Sequence, residues 1–370
     1  MKVDYQIRPY EEGDEKSIVK LLQLAFDGWP KLDLHHKSIE HWIWKFSENP
    51  HGHSAISIAE WKDEIIGCHH WYPQLVKVGK KKHRCLHGAD LAVHPNFRRI
   101  GIYNKTINML QKMTRARDFL YNYWISRNPI VIKSSVNRSS TYNQVRNLVK
   151  INDVDKQLEE MPMKNTFFTK WGFLLMKKCN SMRYVFSRSP CVNNEIEINR
   201  VKYFDDRIYD FWSNVSFNYN FILVRDKKYM NWRYCDSRGG NFIINQVEED
   251  NKIVGYSVLL INKLLDYHVG YIVDMLALPN RLDIIHALSI DAIDFFNENM
   301  VNIINYQIVK DHPYESVLKK CGFIDSGINI TIFFNLLRAF DNIEGHSIGP
   351  KGKVFLTYGD HDSFPVRLSI

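Results

Sequence analysis

Leu91-Ala92-Val93-His94-Pro95-Asn96-Phe97-Arg98-Arg99-Ile100-Gly101-Ile102-Tyr103 is the most informative run in this chain of 370 residues. A short apolar segment ends at a proline, which has no N–H to give to a sheet. A tight basic turn follows, and then Ile102, Ile107, Leu110 and Met113 recur at helical spacing. The pattern is strand, turn, helix. An Arg-x-x-Gly turn in that place aims several backbone N–H groups at one point beside the positive end of a helix, where a diphosphate can be held. Gly101 lets the chain approach such an anion closely. The bare four-residue pattern also occurs as an ordinary strand-to-helix turn, so its surroundings carry the argument.

Upstream, residues 54 to 61, 64 to 78 and 83 to 93 read as three antiparallel strands, turning at Lys62-Asp63 and at Gly79-Lys80-Lys81-Lys82. The lysine run reads as a solvated hairpin tip, with an anion grip as the alternative. Ahead of them, residues 4 to 10 suit an edge strand. Asp14 is placed to cap a helix carrying Ile18, Leu21, Leu22, Ala25 and Phe26, and Ser38 to cap one carrying Ile39, Trp42, Ile43 and Phe46. Downstream, Phe119 to Ser126 is a further strand, 128 to 165 a polar insertion, and Lys170-Trp171-Gly172-Phe173 the opening of another strand. Pro190 and two asparagines interrupt the pattern between Ser187 and Asn194, a candidate boundary.

The chain also repeats itself. Trp44-Lys45-Phe46 recurs as Trp232-Arg233-Tyr234 and Ile65-Ile66-Gly67 as Ile253-Val254-Gly255, both at an offset of 188. Asp90-Leu91-Ala92-Val93-His94-Pro95 recurs as Asp274-Met275-Leu276-Ala277-Leu278-Pro279 at 184, as if the lysine hairpin had lost four residues. Trp171-Gly172-Phe173 finds Cys321-Gly322-Phe323 at 150, the second half lacking the polar insertion. Four landmarks in one order imply a duplicated domain. In the second copy Leu282-Asp283-Ile284-Ile285 stands where the first has Arg98-Arg99-Ile100-Gly101. A carboxylate and bulky apolar side chains oppose a diphosphate both electrostatically and sterically.

The run from Leu91 to Tyr103 resembles motif A of GNAT acyltransferases, in which the fourth strand ends in Val-x-Pro and the turn reads Arg-x-x-Gly-x-Gly/Ala. Tyr103 departs from the final small residue. The resemblance covers residues 4 to about 186 and extends to the leading strand, the two helices and the Gly-Phe step. It implies an α/β fold of two tandem GNAT-like domains, each a mixed, mainly antiparallel sheet flanked by helices. It also implies that the backbone of Arg98, Arg99, Ile100, Gly101, Ile102 and Tyr103 binds the pyrophosphate of coenzyme A, and that Leu91, Ala92 and Val93 pair with its pantetheine arm. The co-substrate is then acetyl-CoA or another acyl-CoA. Two such domains with the Trp-Lys/Arg-Phe/Tyr step, and the tail Phe355 to Asp362, resemble GNAT proteins found with polysaccharide and cell-surface biosynthesis genes. Tandem folds also occur in N-myristoyltransferase and the Fem-type aminoacyl transferases, so duplication does not name the substrate.

Acyl transfer from a thioester to an amine needs a base for the ammonium, a donor to the carbonyl and an acid for the thiolate. His87, eleven residues before Arg98, stands where the family often puts a Glu or His base, and faces Tyr271 in the repeat. Its plain alternative is a packing histidine. Asp90 is the next candidate, although its partner Asp274 in the degenerate copy speaks for a shared structural role. A backbone N–H near Ala92 or Val93 is the family's usual carbonyl donor. The family's tyrosine acid is Phe168 here, which leaves Tyr142 or Tyr123 as substitutes. His69-His70-Trp71-Tyr72 alternates between the two faces of its strand, so half of it can line an acceptor pocket.

Composition bounds the rest. The +8 net charge favours anionic ligands but is spread along the chain, so no nucleic-acid specificity is read from it. The six cysteines form no CxxC pair and the histidine pairs lack a third ligand, so neither disulfides nor a metal is expected. No signal peptide and no run of 18 apolar residues is seen, so a cytoplasmic protein with no membrane segment is expected. The expected division is 1–190 as the catalytic acyl-CoA domain, 195–340 as a degenerate copy, and 341–370 as a C-terminal tail. The expected reaction is transfer of an acyl group, acetyl first, to the amine of a small molecule, amino sugar or sugar nucleotide. The rivals are a Fem-like aminoacyl transferase and a non-catalytic acyl-CoA sensor or scaffold.

Overall fold

The computed structural model describes residues 4–115, 117–136, 139–153, 156, 196–263, 267–328, 330–337, 353–361 and 364. The first half supplies strands β1 (Gln6–Pro9), β2 (Ala55–Trp61), β3 (Glu64–Val78), β4 (Lys81–Val93), β5 (Tyr121–Ser126) and β6 (Thr141–Ile151). The second half supplies β7 (Ile198–Val201), β8 (Phe221–Leu223), β9 (Phe242–Glu249), β10 (Lys252–Asn262), β11 (Val269–Ala277), β12 (Ile303–Val309), β13 (Ile324–Asp325) and β14 (Ile330–Leu336). The helices are α1 (Glu15–Phe26), α2 (Ser38–Trp42) with a π turn at Ile43–Ser47, α3 (Ile102–Thr114), α4 (Pro129–Val136), α5 (Arg207–Ser216), α6 (Lys227–Tyr234), α7 (Leu282–Glu298) and α8 (Pro313–Lys320).

All of these strands join one mixed sheet, in the order β1-β2-β3-β4-β5-β14-β6-β12-β11-β10-β9-β7, with β8 on β3 and β13 on β6. Pairing is antiparallel except for β4–β5 and β11–β12. The order reads the same from either end, as the duplication requires, but the middle is exchanged. The strand beside β5 is β14 from the second half, and the strand beside β12 is β6 from the first. Neither half completes its own sheet. The main apolar core follows suit, joining Val76, Cys85, Tyr123 and Leu148 to Phe221, Ile222 and Phe334.

Local readings hold where periodicity is strong. The three strands start and end within two residues of expectation, and Lys62 and Asp63 turn with positive φ. Of the lysine run only Gly79 and Lys80 form the turn; Lys81 and Lys82 belong to β4, and Lys82 Nζ lies 4.8 Å from the Trp212 ring centre. Asp14 sits at the N-cap of α1, yet its carboxylate makes no cap bond and takes the Arg8 guanidinium instead. The polar insertion is a correction: residues 128–165 contain α4 and the eleven-residue β6. Phe168, Trp171-Gly172-Phe173 and the boundary at 187–194 lie outside the described residues.

Two glycines of the repeat have the same mechanical cause. A Cβ on Gly67 would stand 2.7 Å from Ile102 Cγ2 of α3, and one on Gly255 would stand 2.5 Å from Ile284 Cγ2 of α7. Each copy's long helix therefore presses on its sheet at a point only glycine leaves open.

Candidate active site

The site begins where β4 and β5 part. Their parallel ladder comprises Leu86↔Asn122 and His87↔Tyr123, although both strands run on. Just beyond, β4 is bulged against β3 between the pairs His70↔Ala89 and Cys68↔Ala92, with Asp90 at φ 41°. A bulge leaves backbone groups out of the ladder and bends the strand away. The opening leads into a cavity of about 1260 Å³ with walls from both faces of the sheet. On the α3 side stand His69, Trp71, Tyr103, Asn104 and Ile107; on the α1 side stand Phe26, Trp29, Leu32, His87, His361 and Phe364. The alternation expected of residues 69 to 72 is present, Trp71 packing with Leu110 of α3 and Tyr72 with Trp42 and Phe46.

The basic turn lies at the head of α3. Gly101 holds φ 89° at the N-cap, a left-handed conformation that favours glycine. Arg99 is also left-handed at φ 67°, and both arginine side chains reach solvent. Tyr5 donates to the Ile100 carbonyl at 3.1 Å and so ties β1 to the turn. The first N–H groups of α3 have no acceptor within the helix and point, with its dipole, out of this end. That donor set suits a diphosphate. Of the residues expected to hold coenzyme A, Leu91 and Tyr103 line the cavity; Arg98, Arg99, Ile100 and Gly101 form the turn that leads into α3, Ile102 opens that helix with its side chain buried, Ala92 is buried in the sheet, and Val93 pairs with Gly67.

His87 is buried between the rings of Tyr72 and Tyr123, with centroids 5.0 and 4.7 Å away, and neither ring nitrogen has a hydrogen-bond partner among the described residues. Burial, and then the charges of His361, Lys45 and Arg233, push its pKa well below the usual 6.5, so the imidazole is neutral. Asp90 is committed elsewhere. It accepts from Lys45 Nζ at 2.5 Å and Trp29 Nε1 at 3.1 Å, and against the upward effect of burial Lys45 holds its carboxyl below the usual carboxylate value. Asp274 is held the same way in the second copy, by Arg225 at 3.0 Å and Tyr256 at 2.8 Å. Tyr142 is 40% exposed on β6, packs on Phe333 and does not line the cavity. Tyr123 lies beneath His87, donating to Gln74 at 2.7 Å.

Phe26, Trp29, His361 and Phe364 were given no place in the site from sequence, although Phe26 was read on the first helix and His361 within the tail. His361 and Phe364 come from the tail, which is no appendage in its described part: Val354 to His361 are buried. Asp360 binds Arg225 at 2.9 Å, the Thr357 hydroxyl donates to Asp274 on β11 at 3.2 Å, and His361 meets Gln307 on β12 at 2.8 Å. The tail therefore occupies the place where β11 and β12 diverge, the counterpart of the cavity between β4 and β5. At the head of α7, Asp283 and Glu249 engage Arg281, so this helix end is filled by the chain's own ions.

Residues 6–125 match the family model of an acetyltransferase (GNAT) domain. This part of the chain is a GNAT domain. Two solved structures of Saccharomyces cerevisiae N-myristoyltransferase with bound myristoyl-CoA superpose on 90% of this chain at TM-scores of 0.60 and 0.62, with 11 and 12% identity, covering 80 and 83% of those chains. A probable N-acyltransferase from Enterococcus faecalis V583 superposes at TM-score 0.60 and 10% identity, covering 91% of this chain and 73% of that one. No significant match is found among curated proteins. At such identities the likeness concerns fold alone: two GNAT-like units in tandem. Among the described residues no helix is long and apolar enough to cross a membrane, and no cluster of three or more His, Cys, Asp or Glu suits a metal.

Proposed function

We propose that this GNAT protein moves an acyl group, acetyl first, from coenzyme A to the amine of a small molecule or sugar nucleotide, with His87 as general base. The reading is carried by one observation: a buried neutral imidazole, with both nitrogens unpartnered among the described residues, faces the cavity where β4 and β5 separate. The turn at Arg98–Tyr103 supplies donors for the diphosphate, and the opening between the strands leads from there through the sheet. The amine enters from the α1 side, past Trp29 and Phe364. It gives a proton to His87, its nitrogen attacks the carbonyl carbon, the C–N bond forms and the C–S bond breaks. Backbone N–H groups freed by the bulge at Asp90-Leu91 are placed to steady the carbonyl oxygen. The thiolate leaves and takes up a proton. Asp90 and Lys45 hold the bulge, a positioning task, and Tyr142 has no part in this scheme.

In this proposal 1–190 holds the reaction and 195–340 is a copy without coenzyme A. In the segment 341–370, the described residues Val354 to His361 close the copy's cleft, and His361 and Phe364 wall the acceptor side. The division is one of function, since the sheet interleaves both halves. Thiol release measured with a panel of amines and acyl-CoAs tests the reading. Absence of acyl-CoA-dependent thiol release with every amine would remove it.

A further inference from the structure

We propose that His69 recognises the amide-bearing pantetheine arm of the acyl donor, as a positioning residue distinct from the base. The inference rests on the reading of the cavity as an acyl-CoA site and adds a residue to it. His69 lies on β3 opposite the Asp90-Leu91 bulge, on the α3 face, and is 7% exposed. Its ring contacts are Trp71 at 6.0 Å and Tyr103, the second residue of α3, at 6.3 Å between centroids. Nδ1 has no hydrogen-bond partner among the described residues, and the side chain lines the cavity. A buried imidazole nitrogen left unpaired is costly unless a ligand completes it.

Position fixes which part of the ligand this is. A donor with its diphosphate at the Arg98–Tyr103 turn and its thioester at His87 must pass His69 with the chain between, and that chain carries amide N–H and C=O groups. Burial, and then His70, push the His69 pKa down to about 3, so the ring meets an amide as a neutral donor or acceptor. His69 aligns with Ser257 in the second copy, a smaller side chain that is also buried without a hydrogen-bond partner among the described residues, so the argument rests on the place of His69 in the cavity.

The test is titration of the full chain with coenzyme A and with ADP, which keeps the diphosphate and lacks the arm. His69→Leu is expected to weaken coenzyme A about tenfold, the loss of one hydrogen bond, and to leave ADP unchanged. In turnover the KM for acyl-CoA rises while kcat holds, and His69→Gln, which keeps a donor and an acceptor, recovers most of the loss. Unchanged coenzyme A affinity in His69→Leu overturns the proposal, as does an equal loss for ADP or an equal loss in His69→Gln. If the wild-type chain does not bind coenzyme A, the acyl-CoA reading itself fails. If the wild type binds and His69→Leu binds equally well, only this inference does.

Discussion

The indoles of Trp44 and Trp232 stack 4.7 Å apart at 18°, and each Nε1 donates to the other's main-chain carbonyl, at 3.0 and 3.2 Å. The two residues are the same landmark of the repeat, 188 positions apart. The contact is therefore reciprocal, residue against its own counterpart, as in a two-fold interface. Gly239 closes over it, since a Cβ there would lie 2.4 Å from the Trp44 ring. Trp44→Ala should cost roughly 3–5 kcal/mol, as for a buried tryptophan. With Trp232→Ala it should show a coupling of about 0.5–3 kcal/mol in a double-mutant cycle of urea unfolding. Additive losses would mean the two halves are joined elsewhere.

Residues 1–190 expressed alone should fail to fold as a soluble, cooperative unit. The fragment lacks β14 beside β5 and β8 beside β3, and exposes sheet edges and core that the full chain covers. Solubility and near-ultraviolet dichroism of the fragment check this, and co-expression with residues 191–370 should restore both. A stable fragment would show that the exchanged strands are dispensable.

His87→Ala should lower kcat by roughly 10² or more while leaving coenzyme A affinity nearly intact. The pH profile carries a further sign. Burial lowers the His87 pKa well below 6.5, so the base stays unprotonated as pH falls through the usual imidazole range and is lost only below it. The acid limb of kcat/KM should therefore lie below pH 6.5 and disappear in the alanine variant. A limb at the ordinary histidine value would assign the base to a more exposed group.

Calorimetry should find one coenzyme A per chain, and Gly101→Glu should weaken it at least about tenfold. The new side chain must adopt φ near 89° and sets a carboxylate where the diphosphate is expected. Two sites per chain, or binding untouched by the substitution, would place the anion elsewhere.

Much of the site was legible because its signals are short-range. A proline, two arginines and a glycine in eight residues mark the head of α3, and alternation separates His69 from His70. The misread insertion shows the opposite case. β6 carries Asn147, which looks like loop composition, but it lies between β14 and β12, bonded to Asn305 at 3.3 Å and to Tyr358 at 2.7 Å. A polar strand can be central when its partners are polar too, and those partners lie 158 and 211 residues away.

Residue order alone was enough to establish the duplication, the strand and helix periods of the first copy as far as residue 126, and the loss of the basic turn from the second. These follow from side-chain pattern and backbone preference within a few residues. It was not enough to say that the halves exchange β6 and β14, that the tail fills the second cleft, or that His361 and Phe364 stand across the cavity from His69. Those outcomes depend on which distant edge offers matching N–H and C=O groups, and on which buried ions can be paired. Such choices are made between segments far apart in the chain, and no local pattern encodes them.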